Sequence, residues 1–368
     1  WAEIRSDLTV NGLGFGDYPE RNGYPRFSRN TRLKTVICED KIEILDPPSK
    51  PQKPKSNLFM KLFPSFGMLI AAGAMAFMGG TMIIFSLISC TIAIITAVVG
   101  VMEGKKEFRE KTANRIEVYQ KYIASKRQEI EECRNREWTE RNEIYIPAEQ
   151  EIQQVETFSP DLFDRTPQDE DFLCVRLGSG PIESARQVNY KKQEKLEIED
   201  DLSLLPEQTA SFYKELQNAP VICDLKNVNA VGITGEEADR FELLKLIVTD
   251  VALRHFAADV KLFFVAEKEH AGRMHLFRFL PGAYCVQTDT RGIVTDDESK
   301  TLIFEYLYKE LTMRAQEKRS YPHLLIFFYD EYGYKKHPIS QFTEKGKDLG
   351  VTFLFFGQTR ADIPVGCD

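Results

Sequence analysis

The sequence contains neither a CxxC pair nor histidines at metal-ligand spacing. Its seven cysteines (Cys38, Cys90, Cys133, Cys174, Cys223, Cys285 and Cys367) are scattered. An odd count with one member in an apolar run points to reduced thiols, not to a disulfide frame. Among the five histidines, His275 follows His270 by five residues with no third ligand nearby, so no metal site is expected. An excess of positive charge is also missing. Lys and Arg total 48 against 56 Asp and Glu, for a net charge of −8. No basic stripe interrupts that balance, and no nucleic-acid partner is expected. The fourth absence is local: the 41 residues from Leu62 to Met102 carry no charged side chain.

That stretch is what the sequence has in place of charge. One membrane span needs roughly 20 apolar residues, so the stretch holds two, with a turn at Gly79-Gly80-Thr81. The expected spans are about 62–78 and 82–102. Lys50, Lys53, Lys55 and Lys61 precede them, and Lys105, Lys106, Arg109 and Lys111 follow. Basic residues on both flanks put both ends in the cytoplasm of a multi-pass cell-membrane protein. The run is too long and too internal for a signal peptide. No ionisable group lies inside the spans, which argues against an ion or proton path.

Four segments follow from this frame. Residues 1–57 form a pre-membrane segment ending in the stiff, proline-rich "DPPSKPQKPKS". Residues 58–102 are the membrane hairpin. Residues 103–146 are rich in Glu, Lys and Arg, with Ile116, Tyr119, Ile123, Ile130 and Cys133 at three-four spacing. They predict a long amphipathic helix closed by Pro147. Two roles stay open for it: packing on a neighbouring domain, or a stalk that meets partner subunits. Residues 147–368 alternate apolar strands with helices. The helices are expected at 236–256 and 297–318, and the strands at "PVICDL", "NAVGIT", "DVKLFFVAE", "HLLIFFYDE" and "GVTFLFFGQT". Strands apolar throughout and separated by helices predict a doubly wound parallel sheet. The fold class is therefore a membrane-anchored α/β protein. The start at Trp1 and the end after a strand read as a fragment of something longer.

Ligands of such sheets sit at the carboxyl ends of the strands. Two features fall there: the glycines Gly232 and Gly235 before a helix, and Asp330-Glu331 after an apolar strand. Together they outline a P-loop nucleotide site. A working loop also carries a lysine for the phosphates and a Ser/Thr for magnesium. Here Glu236, Glu237 and Ala238 occupy the helix start. Two carboxylates there repel a triphosphate. Gly232, Gly235, Asp330 and Glu331 are thus a degenerate cofactor site, and neither a catalytic residue nor a metal ligand is assigned. The plainer alternatives are a tight strand-to-helix turn and a solvated strand end. Gly178-Ser179-Gly180 reads as a loop turn.

The order of these features resembles a known family. "PRFSR", "KIEILDPPSKP", the hairpin and the charged helix are followed by "LFDRTPQDEDFLCVRLGSG", "APVICDLKNVNAVGITG" and "PHLLIFFYDE". This is similar to the membrane ATPases of type VII secretion of the FtsK/SpoIIIE type, the EssC/EccC family. Leu162-Phe163-Asp164-Arg165 stands at the family's "LW-x-R" position, with Phe163 in place of tryptophan. Asp171-Phe172-Leu173 and Arg176-x-Gly178-x-Gly180 match. The resemblance implies a first ATPase-like domain that is often degenerate, with ATP and magnesium used by downstream modules. It further implies a hexamer, membrane partners including a ubiquitin-like subunit, and export of WXG-type proteins. An active ATPase with an unorthodox loop and a DNA translocase of the wider group are the alternatives.

Overall fold

The computed structural model describes residues 32, 35–54, 63, 67, 70, 73, 82–157, 159–191 and 200–367. Most of the first expected span, the end of the linker before it and the Gly79-Gly80-Thr81 turn lie outside these residues. Two compact units are present. One comprises residues 38–137 and 183–216. The other comprises residues 1–37, 138–182 and 217–368.

The first unit is organised by helix α1, Met82–Ile144, which extends beyond it. From Ile88 onward this helix is long and apolar enough, at its start, to cross a membrane by length and composition. Its charged part lays Tyr119, Ile123 and Ile130 against Ile42, Ile44, Leu202 and Tyr213. The expected apolar repeat is thus a packing face over its middle, while Ile116 stays exposed. Ile42 and Ile44 belong to or follow the short strand β1 (Ile42–Glu43). Leu202 lies in helix α3 (Asp201–Phe212). Asp200 caps α3 by accepting from the Ser203 amide. It also pairs with Arg115 of α1 at 2.7 Å.

The second unit contains helix α2, Ala148–Glu156, and a five-stranded parallel sheet. Pro147 immediately precedes α2, as a residue without an amide donor suits a helix start. Ahead of the five-stranded sheet in the chain, β2 (Cys174–Glu183) pairs with β4 (Glu215–Asp224), and β3 (Val188–Asn189) pairs with β1. The main sheet uses β5 (Ala230–Thr234), β6 (Val260–Val265), β9 (Ile293–Val294), β10 (His323–Phe328) and β11 (Val351–Gly357). A small antiparallel pair, β7 (Tyr284–Cys285) and β8 (Thr290–Arg291), precedes β9. The strand order is β5-β11-β10-β6-β9, with every neighbour parallel.

Each central strand is buried on both faces because alternate side chains enter two different cores. Phe264, Leu325, Phe327 and Leu354 face Leu244, Ile247, Val248 and Val251 of helix α4 (Glu237–Arg254). Phe263, Ile326, Phe328 and Phe353 face Ile303, Phe304, Leu307 and Leu311 of helix α5 (Asp297–Glu317). Apolar strands with a helix on either side form the doubly wound arrangement that the sequence pattern predicts. Asp296 caps α5 through the Ser299 amide at 2.8 Å.

Candidate functional site

The sheet order brings the two sequence features to one edge of the fold. Strand β5 runs into Gly235 and then α4, while β10 runs into Tyr329 and Asp330. Strand β11 lies between them, and the Gly235 amide donates to the Gly357 carbonyl at 3.4 Å. Gly235 has φ of +157°, a backbone that a side chain rarely adopts, and open space around its Cα. Gly232 is different. It lies inside β5, and a Cβ there would run into the Ile363 side chain. The absence of a side chain at Gly232 allows the close approach of Ile363 and Cys367. Gly178-Ser179-Gly180 is likewise within a strand, β2, where Arg176 donates to Ser179 Oγ at 2.7 Å.

The helix start carries no side-chain cap from Glu236. Instead Glu237 accepts a short hydrogen bond from Arg273. Arg273 also donates to the Tyr329 hydroxyl at 3.2 Å. On the other side, His270 Nδ1 donates to Asp330 Oδ2 at 2.8 Å, and the Glu267 amide donates to the same oxygen at 2.8 Å. His270 Nε2 lies 3.6 Å from Glu237 Oε1. His270, Arg273 and Tyr329 therefore join the helix start to the strand-end acid. Glu331 does not share in this. Its carboxylate accepts from the Lys335 amide at 3.0 Å, folded back on the turn that follows. Among the described residues, no group of His, Cys, Asp and Glu is placed to hold a metal ion.

The sequence shows Glu237 and Asp330 but not what links them. His270 and Arg273 stand one helical turn apart after β6. Only the β6–β10 pairing carries that turn to Asp330. The i, i+3 spacing of a histidine and an arginine was the sole local sign.

The opposite end of α4 holds a second polar cluster. Arg165 is fully buried and donates to the Asp171 carbonyl at 2.8 Å and the Ile144 carbonyl at 2.8 Å. It also pairs with the Asp171 carboxylate at 2.7 Å, which Arg32 shares at 2.6 Å. Arg254, near the end of α4, donates to the same Ile144 carbonyl at 2.9 Å and to Glu151 at 2.6 Å. Arg176 donates to the Tyr145 carbonyl at 2.6 Å. Three arginines thus donate to the Ile144 and Tyr145 carbonyls at the C-terminal end of α1, where the helix dipole also favours cations. Burial, then the neighbouring Asp250, pushes the Glu151 carboxyl up to about 7. Burial raises Asp250 as well. Asp250, between Val248 and Val251, is a charge inside an apolar helix face, and that was its signal in the sequence.

The fold is a parallel α/β domain, and at this edge the start of α4 and the strand-end acid are joined by the domain's own side chains. No family model matches the chain. It is 22% identical to the ESX secretion system protein EccC of Geobacillus thermodenitrificans, over 98% of this chain and 25% of that protein. It is also 22% identical to the type VII secretion system protein EssC of Staphylococcus aureus, over 100% of this chain and 26% of that one. Similarity along the whole chain bears out the resemblance to the EssC/EccC family of type VII secretion. The chain spans about a quarter of the length of these relatives. The cytoplasmic domain of the type VII secretion ATPase EccC of Thermomonospora curvata is 15% identical, over 38% of this chain and 20% of its own, with a TM-score of 0.28. The fold assignment rests on the strand order, not on that likeness.

Proposed function

We propose that this chain is the membrane-anchoring, assembly and coupling segment of a type VII protein secretion motor that exports WXG-type substrates. Its parallel-sheet domain docks and relays force without hydrolysing ATP. The observation that carries this reading is the network at the start of α4. A triphosphate approaching that helix meets Glu237, and Arg273 beside it is already paired with that carboxylate. Asp330, which would hold magnesium, already accepts two hydrogen bonds on one oxygen. ATP and magnesium then belong to modules elsewhere in the motor. Helix α4 itself supports the relay. It is about 27 Å long at 1.5 Å per residue, and it runs from this network to the arginines that grip the end of α1.

The anchor is a two-span hairpin in the cell membrane with both ends cytoplasmic. One long apolar helix and the similarity to type VII secretion proteins support it. The partners are the machine's other membrane subunits, including one with a ubiquitin-like fold, and further copies of the chain in a hexamer. Nucleic acid is not among them. Calorimetric titration of the detergent-solubilised chain with Mg-ATP tests the central point. Absence of turnover is the expected result, and micromolar binding with turnover sinks it.

A second reading, an active ATPase with an unorthodox loop, draws on Arg273. It is an arginine beside the start of α4, in contact with Glu237 and the Tyr329 hydroxyl. That reading requires turnover that disappears in Glu331→Gln.

A further inference from the structure

A separate cluster lies in the unit built on α1, far along the chain from the α4 network. Glu137 of α1 is buried and accepts from the Ser184 hydroxyl and, at 2.9 Å, from the Ala185 amide. This clamp fixes the backbone just before Arg186. One turn before Glu137 on the same helix is Cys133, and Arg186 Nη1 donates to its sulfur at 2.8 Å. The chain after Arg186 pairs with β1: the Ile42 amide donates to the Gln187 carbonyl at 3.1 Å, and Ile42 registers with Val188. That pairing brings Cys38, four residues before Ile42, close to the same guanidinium, whose charged form its sulfur favours. The Cys38 thiol in turn donates to Asp40 at 3.1 Å. Cys38, Cys133 and Arg186 are all partly exposed, whereas Cys90, Cys174, Cys285 and Cys367 are buried.

We propose that Cys38 and Cys133, held on Arg186, are a peroxide-responsive thiol pair that closes to a disulfide. Two thiols on one cation, open to solvent, have the microenvironment of reactive cysteines. Cys133, which accepts from the guanidinium, attacks hydrogen peroxide. The O–O bond breaks, Cys133 becomes a sulfenic acid, and the leaving oxygen departs as water with the thiol proton. Cys38 then attacks the Cys133 sulfur, the S–S bond forms, and the second oxygen leaves as water. Two thiols lose two electrons, and one peroxide becomes two waters. Arg186 swings aside as the sulfurs meet. The product staples the segment before the membrane to the helix after it. Reduced thiols are the resting state, in keeping with a cytoplasmic face.

The test uses the intact chain in detergent, treated with hydrogen peroxide and mapped by non-reducing mass spectrometry. A Cys38–Cys133 peptide that dithiothreitol reverses is the expected product. In Cys38→Ser, dimedone is expected to trap a sulfenic acid on Cys133. In Arg186→Gln, peroxide consumption by Cys133 is expected to slow by about threefold or more, with Arg186→Lys in between. Absence of the cross-link, equal oxidation of Cys223, or an unchanged rate in Arg186→Gln overturns the proposal.

Discussion

The two ends of helix α4 carry polar networks of opposite character. At its start, Glu237 and Arg273 are 49% and 41% exposed. At its end, Arg254 and Glu151 are 8% and 1% exposed, and Arg165 is fully buried. An exposed pair is screened by water and adds little to stability. A buried one has given up hydration, and losing one partner strands the other. The start of the helix is thus a region whose charges can be changed without unfolding, suited to blocking or exchanging a contact. The far end is structural: it fixes where the last turns of α1 meet the sheet domain.

Four substitutions break or sharpen that contrast. Arg165→Ala leaves the Asp171 carboxylate and the Ile144 carbonyl short of a buried donor. It is expected to lower stability by about 3–5 kcal/mol in urea unfolding. A loss no larger than that of the exposed pair would erase the distinction between the two ends. Glu151→Gln comes second and depends on pH. The native carboxyl is raised to about 7, so the native state binds a proton more tightly than the unfolded chain. The stability this confers is complete below the ordinary glutamate range and is lost as pH rises through 7. Thermal melts of the parent chain are expected to weaken between pH 5 and pH 8, by up to about 3 kcal/mol. Glu151→Gln is expected to flatten that slope, and an unchanged slope would assign it to other groups.

Gly232→Ala tests what the first glycine is for. Its Cβ would press on Ile363, so a cost of about 1–3 kcal/mol is expected. A neutral result would show that the packing of Ile363 does not require a glycine at this position. The smallest effect is expected for Glu237→Gln, below about 1 kcal/mol. Its value lies in a second readout. With the carboxylate gone, Arg273 loses its partner at the helix start, and any gain in ATP affinity by calorimetry measures what Glu237 contributes there.

Much of the sheet domain was legible in the sequence. The helices expected at 236–256 and 297–318 appear as Glu237–Arg254 and Asp297–Glu317. Strands β6, β10 and β11 sit inside their apolar runs. Continuous apolar strands and three-four helical spacing are local signals, and burial on both faces is the only arrangement that satisfies them. The glycines were the misreading. Gly232 and Gly178-Ser179-Gly180 look like turn residues by composition, yet both lie in strands. Gly232 is kept small by Ile363, and a Cβ at Gly180 would press on Val221. Those neighbours are 131 and 41 residues away along the chain, beyond any window of local propensity.

The sequence by itself determined the membrane-length apolar run, the alternation of strands and helices, and the absence of a lysine at the loop. Each is a property of residues close together in the chain, where hydropathy, period and charge can be read directly. What meets the start of α4 became visible only in the folded chain. Parallel pairing of β6 with β10 sets His270 and Arg273 against Asp330 and Glu237, across 60 residues in one case and 36 in the other. The same holds for the grip on α1, where Arg165, Arg176 and Arg254 converge on two carbonyls. Charge pairing in a folded chain depends on distance in space, and the order of residues does not contain that distance.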